Sequence, residues 1–194
     1  KNDIRNIPII DFQPFCLWID IAWEWKDETI RVLRDNDVAR IIAREKISNP
    51  LGIATKTKQI IDDWNLNSAD CYLDFFWIWA NTSIELTKMW IHVTNVSVWD
   101  KAMDSNRFLN LRAELYWRLK EWLAKWAKLM WTWRDDILMN KYKRNERWLL
   151  KMMSKEDLRK LYWKSPDVSD ALMLTMIWEE DMSLVWQMAF QKWA

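Results

Sequence analysis

A chain of 194 residues with one glycine, Gly52, has almost no residue free to carry the backbone through left-handed conformations. Glycine adopts positive φ without a steric penalty, and many tight turns and helix ends rely on it. At an average usage of roughly 7%, about 14 glycines would be expected. Tryptophan, ordinarily scarce, occurs 18 times. The stretch FCLWIDIAWEWKDETI, Phe15 to Ile30, shows the consequence. Two strand-like runs are joined by Ala-Trp-Glu-Trp-Lys-Asp, with Trp23 and Trp25 at the bend. Indoles stand where the chain has to turn.

With 51% hydrophobic and 29% charged residues, the chain should form one globular domain with a real core and a short appendage. A formal charge of +1 gives no global basic field, although a local patch can still meet a polyanion. No run of about 18 apolar residues appears, so no membrane span is expected. KNDIRNIPII at the N-terminus lacks the length and the small-residue cleavage site of a signal peptide. The missing initiator Met suggests a fragment or a processed product. Cys16 and Cys71 sit in apolar, strand-like runs and read as buried thiols in a reducing compartment. One His and two Cys are too few for a structural zinc site. A Cys71–His92 nucleophile pair is formally possible; packing of His92 in or beside a strand is the more ordinary reading.

Apolar periodicity predicts a near-continuous buried strand at Phe15–Ala22, then alternating strands at Thr29–Arg34 and Val38–Lys46 around an Asp35-Asn36-Asp37 turn. Asn49 and Pro50 open a helix to about Asp63. A strand at Cys71–Phe76, a helix at Asn81–Met89 and a strand at Ile91–Val98 follow. The strongest helix is Asn106–Ala127, capped by Asp104 or Ser105, with Phe108, Leu111, Leu115, Leu119, Trp122 and Leu123 as its stripe. Residues 135–153 are ambiguous and compatible with a hairpin. Ser154 and Asp157 form a capping box for a brief helix to Leu161. Ser165-Pro166-Asp167 opens the last helix, and 179–194 form a weakly amphipathic tail suited to docking. There is no internal repeat. This order predicts an α/β layer on a mixed sheet, an antiparallel meander followed by strand-helix units.

Asp20 and Asp74 each interrupt an apolar strand. A carboxylate among apolar residues costs several kcal/mol unless it is paired, protonated or bound to a cation. If the two strands are neighbours, both acids reach one edge of the sheet. Asp167 and Asp170, three apart at a helix start, share a face. Four such oxygen donors suit Mg²⁺ or Mn²⁺. Taken singly, each acid has an ordinary reading as a salt-bridged or helix-start residue; their order along the chain favours the metal reading.

In these residues the chain resembles the nuclease domain of tailed-bacteriophage large terminase subunits, which has a ribonuclease H-like fold. The resemblance rests on IDIA (19–22), KDETI (26–30), YLDF (72–75), RFLNLRAELYWRLKEWL (107–123), SKEDL (154–158) and KSPDVSDALML (164–174). It implies a nuclease domain over 15–178, with 1–14 as the remnant of a linker to an ATPase domain. It further implies catalytic, metal-binding acids at Asp20, Asp74 and Asp170, with Asp167 beside them, holding two Mg²⁺ or Mn²⁺. The implied activity is endonucleolytic cleavage of double-stranded DNA during genome packaging in the host cytoplasm. Portal, small terminase subunit and ATPase domain are the implied partners. No GxxxxGK phosphate loop is present, even with every Trp read as Gly, so ATP hydrolysis is not expected. Lys26, Lys101 and Arg107 flank the expected active edge as candidate DNA contacts. Alternatives are a resolvase- or transposase-like nuclease of the same fold, or a non-catalytic module docking on portal or capsid.

Against the family pattern, Trp18, Trp23, Trp25, Trp77, Trp79, Trp99, Trp148 and Trp163 fall at or beside glycine places, whereas Trp117 and Trp122 match family tryptophans. UGA is read as glycine in some genetic codes and as tryptophan in others. The pattern predicts UGA codons at the displaced positions; UGG at 23, 25, 77 and 79 would refute this. A base-stacking tryptophan set is the competing reading, but these residues gather at turns and not along one face.

Overall fold

A computed structural model describes residues 12–21, 28–47, 49–74, 80–125, 134–163 and 166–177. Five strands form one mixed sheet in the order β3-β2-β1-β4-β5. They are β1 Cys16–Asp20, β2 Thr29–Arg34, β3 Ala39–Glu45, β4 Cys71–Asp74 and β5 Thr94–Val96. β1, β2 and β3 are an antiparallel meander, whereas β4 and β5 run parallel to β1. The expected ribonuclease H-like α/β layer is therefore what the chain forms. All five residues of β1 are buried, as its unbroken apolar run predicts. β5 spans only three residues, shorter than expected, and the expected strand at Cys71–Phe76 runs into residues 75 and 76, which lie outside the described residues.

Side-chain alternation divides the core between the two faces of the sheet. Trp18, Ile30, Val32 and Tyr72 face α3 (Leu111–Ala124) and α6 (Asp167–Leu174), through Leu115, Leu119 and Leu172. Leu17, Ile19, Leu33 and Leu73 face α1 (Pro50–Trp64) and α2 (Ala80–Lys88), through Ile53, Ile60 and Leu86. Trp18 stacks on Tyr72 with ring centroids 4.2 Å apart. This buried, extended residue gains packing, but its indole N–H has no oxygen acceptor.

The start of α3 is a correction to the sequence reading. Asn110 is the cap, its Oδ1 accepting from the Ala113 N–H at 3.1 Å. Helix cannot begin at Asn106 because Arg107–Leu109 pairs with the chain at Leu150: Leu109 N–H donates to Leu150 O, and Leu150 N–H to Arg107 O. Phe108 thus belongs to this bridge and not to the helical stripe. After α4 (Arg134–Met139), the ambiguous segment does contain a hairpin, β6 (Tyr142–Arg144) with β7 (Leu150–Met152). It leads into α5 (Lys155–Tyr162), where the predicted cap holds: Ser154 Oγ accepts from the Asp157 N–H at 3.0 Å.

Four non-glycine residues among those described have φ in the left-handed region: Asn65, Trp90, Trp148 and Trp163, at 50°, 62°, 60° and 60°. Asn tolerates that region; Trp does not. Trp90 and Trp163 follow α2 and α5, where chains commonly place glycine. At all three positions the indole is exposed, by 87%, 74% and 92% respectively, so packing offsets little of the strain. Trp148 and Trp163 are two of the glycine-like positions read from sequence; Trp90 was missed, and Trp99 is exposed without positive φ. Trp23, Trp25, Trp77 and Trp79, the N-terminal linker segment up to Asp11 and the tail lie outside the described residues. Gly52 is not a turn residue: a Cβ there would come 2.8 Å from Asn49 Oδ1, the atom that caps α1.

Cys16 and Cys71 are free and buried, and burial is the main cause that pushes both thiols up to about 12. Cys71 is therefore no thiolate nucleophile near neutral pH, and His92 is exposed beside β5. No helix among the described residues is long and apolar enough to cross a membrane.

Candidate active site

β1 and β4 pair in parallel with Trp18 opposite Tyr72 and Ile19 opposite Leu73. One further step in that register sets Asp20 level with Asp74, at the carboxyl ends of adjacent central strands. The period of two places both acids on the Trp18–Tyr72 face, toward α6. Helix α6 packs across β1 and β2 and brings Asp167 and Asp170 to the same end.

Asp20 feels the charge of the other three acids. Burial pushes the Asp20 carboxyl well above the usual carboxylate range; Lys155 pulls it down, while Asp74, Asp170 and Asp167 add to the rise. Burial likewise pushes Asp74 up to about 6, with Asp170 raising it and Lys155 and Arg112 opposing. Asp170 goes the other way. Burial works against its charge, but Lys155, Arg112 and a hydrogen bond from Tyr116 hold it well below the usual range. Tyr116 Oη donates to Asp170 Oδ1 at 2.6 Å and Arg112 Nη2 to the same oxygen at 2.9 Å; Lys155 Nζ lies 2.9 Å from Oδ2. The side chain of Arg112 is almost fully buried, and its Nη1 also donates to Met153 O at 3.1 Å. The arrangement is an ionised Asp170 clamped by two cations beside two carboxyls that resist losing their protons.

This donor chemistry fits a hard divalent cation at Asp20 and Asp74, since a 2+ charge would favour ionisation of both. Asp170 fits less directly, because Arg112, Tyr116 and Lys155 already occupy its oxygens. Among the described residues, no three carboxylate, thiol or imidazole groups stand together closely enough to hold an ion as they lie.

Of the candidate DNA contacts, Lys101 is exposed in the loop before α3. Arg107 lies over the Trp117 ring, 4.2 Å from its centroid. Lys26 is outside the described residues. Sequence reasoning missed Lys155, Arg112 and Tyr116. Arg112 and Tyr116 are spaced i, i+4 on a helix face otherwise read as apolar, and an Arg there was the available signal. Lys155 looked like an ordinary first-turn residue of α5.

No family model and no curated protein sequence matches the chain. Solved structures do. The nuclease domain of the large terminase subunit gp2 of bacterial virus Sf6 superposes with a TM-score of 0.70 and 18% identity, covering 87% of this chain and 91% of that one. A point mutant of that domain, with manganese and beta-thujaplicinol, gives 0.72 at 16% identity over 85% and 88%. The large terminase nuclease from thermophilic phage G20c, with bound magnesium, gives 0.64 at 15% identity over 84% and 80%. The chain has the ribonuclease H-like fold seen in the nuclease domains of phage large terminase subunits.

Proposed function

We propose that this chain is a metal-dependent endonuclease that cuts double-stranded DNA during phage genome packaging. The observation that carries the reading is the level placement of Asp20 and Asp74 at the carboxyl ends of neighbouring parallel strands, with Asp170 acting on both from α6 and Asp167 on Asp20. Asp20 and Asp74 would hold the ions, with Asp170 and Asp167 at the third corner once Lys155 no longer neutralises Asp170. When bound, two divalent ions supply an activated water and charge stabilisation on the leaving 3′ oxygen. The chain's own groups prepare that site. Arg112 and Tyr116 fix the Asp170 carboxylate and keep it ionised, while the Lys155 ammonium offsets repulsion within the acid cluster. The mineral-like hardness of these donors, and the nuclease domains sharing the fold, support hydrolysis of a phosphodiester.

The experiment is Mn²⁺-dependent nicking of supercoiled plasmid by the full chain. Asp20→Asn and Asp74→Asn are each expected to abolish nicking and to remove Mn²⁺-induced thermal stabilisation. Undiminished nicking in both variants would overturn the site assignment. A preference for branched junctions over plain duplex would instead favour the resolvase-like alternative.

A further inference from the structure

The charge of the β6–β7 hairpin is not explained by the acid site. Residues 141–151, KYKRNERWLLK, carry five cations against one acid, whereas the whole chain nets only +1. Tyr142, Leu150 and Met152 pack toward α3, with Tyr142 edge-on to Trp117 at 5.5 Å. That orientation turns Lys143 and Lys151 outward, directly opposite each other in the antiparallel pair. Like charges so placed destabilise a hairpin unless an anion lies between them. Asp157 stands 3.6 Å from Lys143, but no carboxylate pairs with Lys151, Arg147 or Lys141 among the described residues. At the loop end, Arg144, Arg147 and Lys151 line a recess of about 390 Å³ together with one acid, Glu146, and the apolar Leu109 and Leu149.

From this geometry we infer that the outer face of the hairpin is a docking surface for the phosphate backbone of duplex DNA. The inference rests on the nuclease reading. The hairpin is joined to the acid site by two residues: β7 ends at Met152, and Lys155 opens α5. Lys151 and Lys155 are four positions apart, at most about 14 Å of extended chain. That distance spans about four base pairs along a duplex strand. A polyanion lying over Asp20 and Asp74 therefore passes within reach of Lys151 and the recess. Guanidinium forks suit phosphate oxygens, and contacts of this kind position the duplex without reading its sequence.

The test is fluorescence anisotropy with a labelled 30-base-pair duplex in EDTA, so that binding is read without cleavage. The hairpin variant is Arg147→Glu/Lys151→Glu. The control, Lys46→Glu/Lys56→Glu, makes the same charge change beyond β3 and on α1. The hairpin variant is expected to bind roughly 10- to 100-fold more weakly at 0.1 M salt, with a salt slope shallower by about 2. The control should lose at most a fewfold, and Arg147→Lys/Lys151→Arg should bind like the parent. Equal losses in hairpin variant and control, or no binding by the parent, would overturn the inference. A parent that binds duplex through the hairpin but never cuts would defeat the nuclease reading and leave the surface standing. A parent that cuts, with a hairpin variant that binds undiminished, would defeat the surface alone.

Discussion

Replacing Trp163 with glycine should stabilise the protein. Trp163 closes α5 with φ 60° and ψ 13°, its N–H donating to Arg159 O at 2.9 Å. Holding an L-residue other than glycine there costs about 1–2 kcal/mol, because Cβ crowds the following carbonyl. Glycine removes that strain but loosens the unfolded chain, which returns about 0.4–1 kcal/mol. The indole is 92% exposed, so its deletion forfeits almost no packing. The net is a gain of about 0.5–1 kcal/mol, or a rise in Tm of roughly 1–4 °C for a chain of this size. Thermal and urea unfolding followed by far-ultraviolet circular dichroism measure it. Trp163→Ala is the decisive comparison: alanine keeps Cβ and therefore most of the strain, so it should gain little. A glycine variant less stable than the parent, or an alanine variant stabilised equally, would refute the strain argument. Trp90→Gly and Trp148→Gly should add comparable amounts, the second reduced by loss of the Arg144 contact over the Trp148 ring at 5.6 Å.

Arg112→Met should destabilise by about 1.5–3 kcal/mol in urea unfolding, since it removes a buried charge-assisted hydrogen bond to Asp170 while Lys155 and Tyr116 remain; a cost below about 1 kcal/mol would contradict the clamp. Asp74 ionises near 6 in the folded state against 3.8 for an unperturbed carboxyl, so the folded protein binds the extra proton between those values. The Asp74 part of stability in EDTA should therefore fall as pH rises from about 4 through about 6, by on the order of 2–3 kcal/mol, and Asp74→Asn should lessen the slope, leaving the part due to Asp20. Added Mn²⁺ should reverse the trend above pH 6, raising Tm most where both carboxyls are ionised.

The sheet was legible because its signals are local. The unbroken apolar run of β1, the alternation of β2 and β3, and the Asn49-Pro50 helix start each state their own structure. The shared edge of Asp20 and Asp74 was legible for the same reason, since each acid interrupts an apolar run and the two strands prove to be neighbours. The start of α3 was not, because Phe108 satisfies a helical stripe equally well in sequence, and a bridge to the distant Leu150 decides the matter. Lys155 and Arg112 escaped notice for a related reason. Their importance lies in a distant carboxylate, and nothing beside them in the chain announces it. Trp90 was missed because its left-handed geometry follows from where α2 ends, which periodicity locates only to within a residue or two.

The ladder between β1 and β4 has a practical corollary. Because the ladder between neighbouring strands sets the spacing of Asp20 and Asp74, that spacing should tolerate replacement of residues 22–27 and 75–79. Chimaeras that import shorter or glycine-bearing connections from other proteins of this shape should retain the paired carboxyls. Such exchanges would leave the carboxyl pair as a fixed frame and vary only the segments that follow each strand.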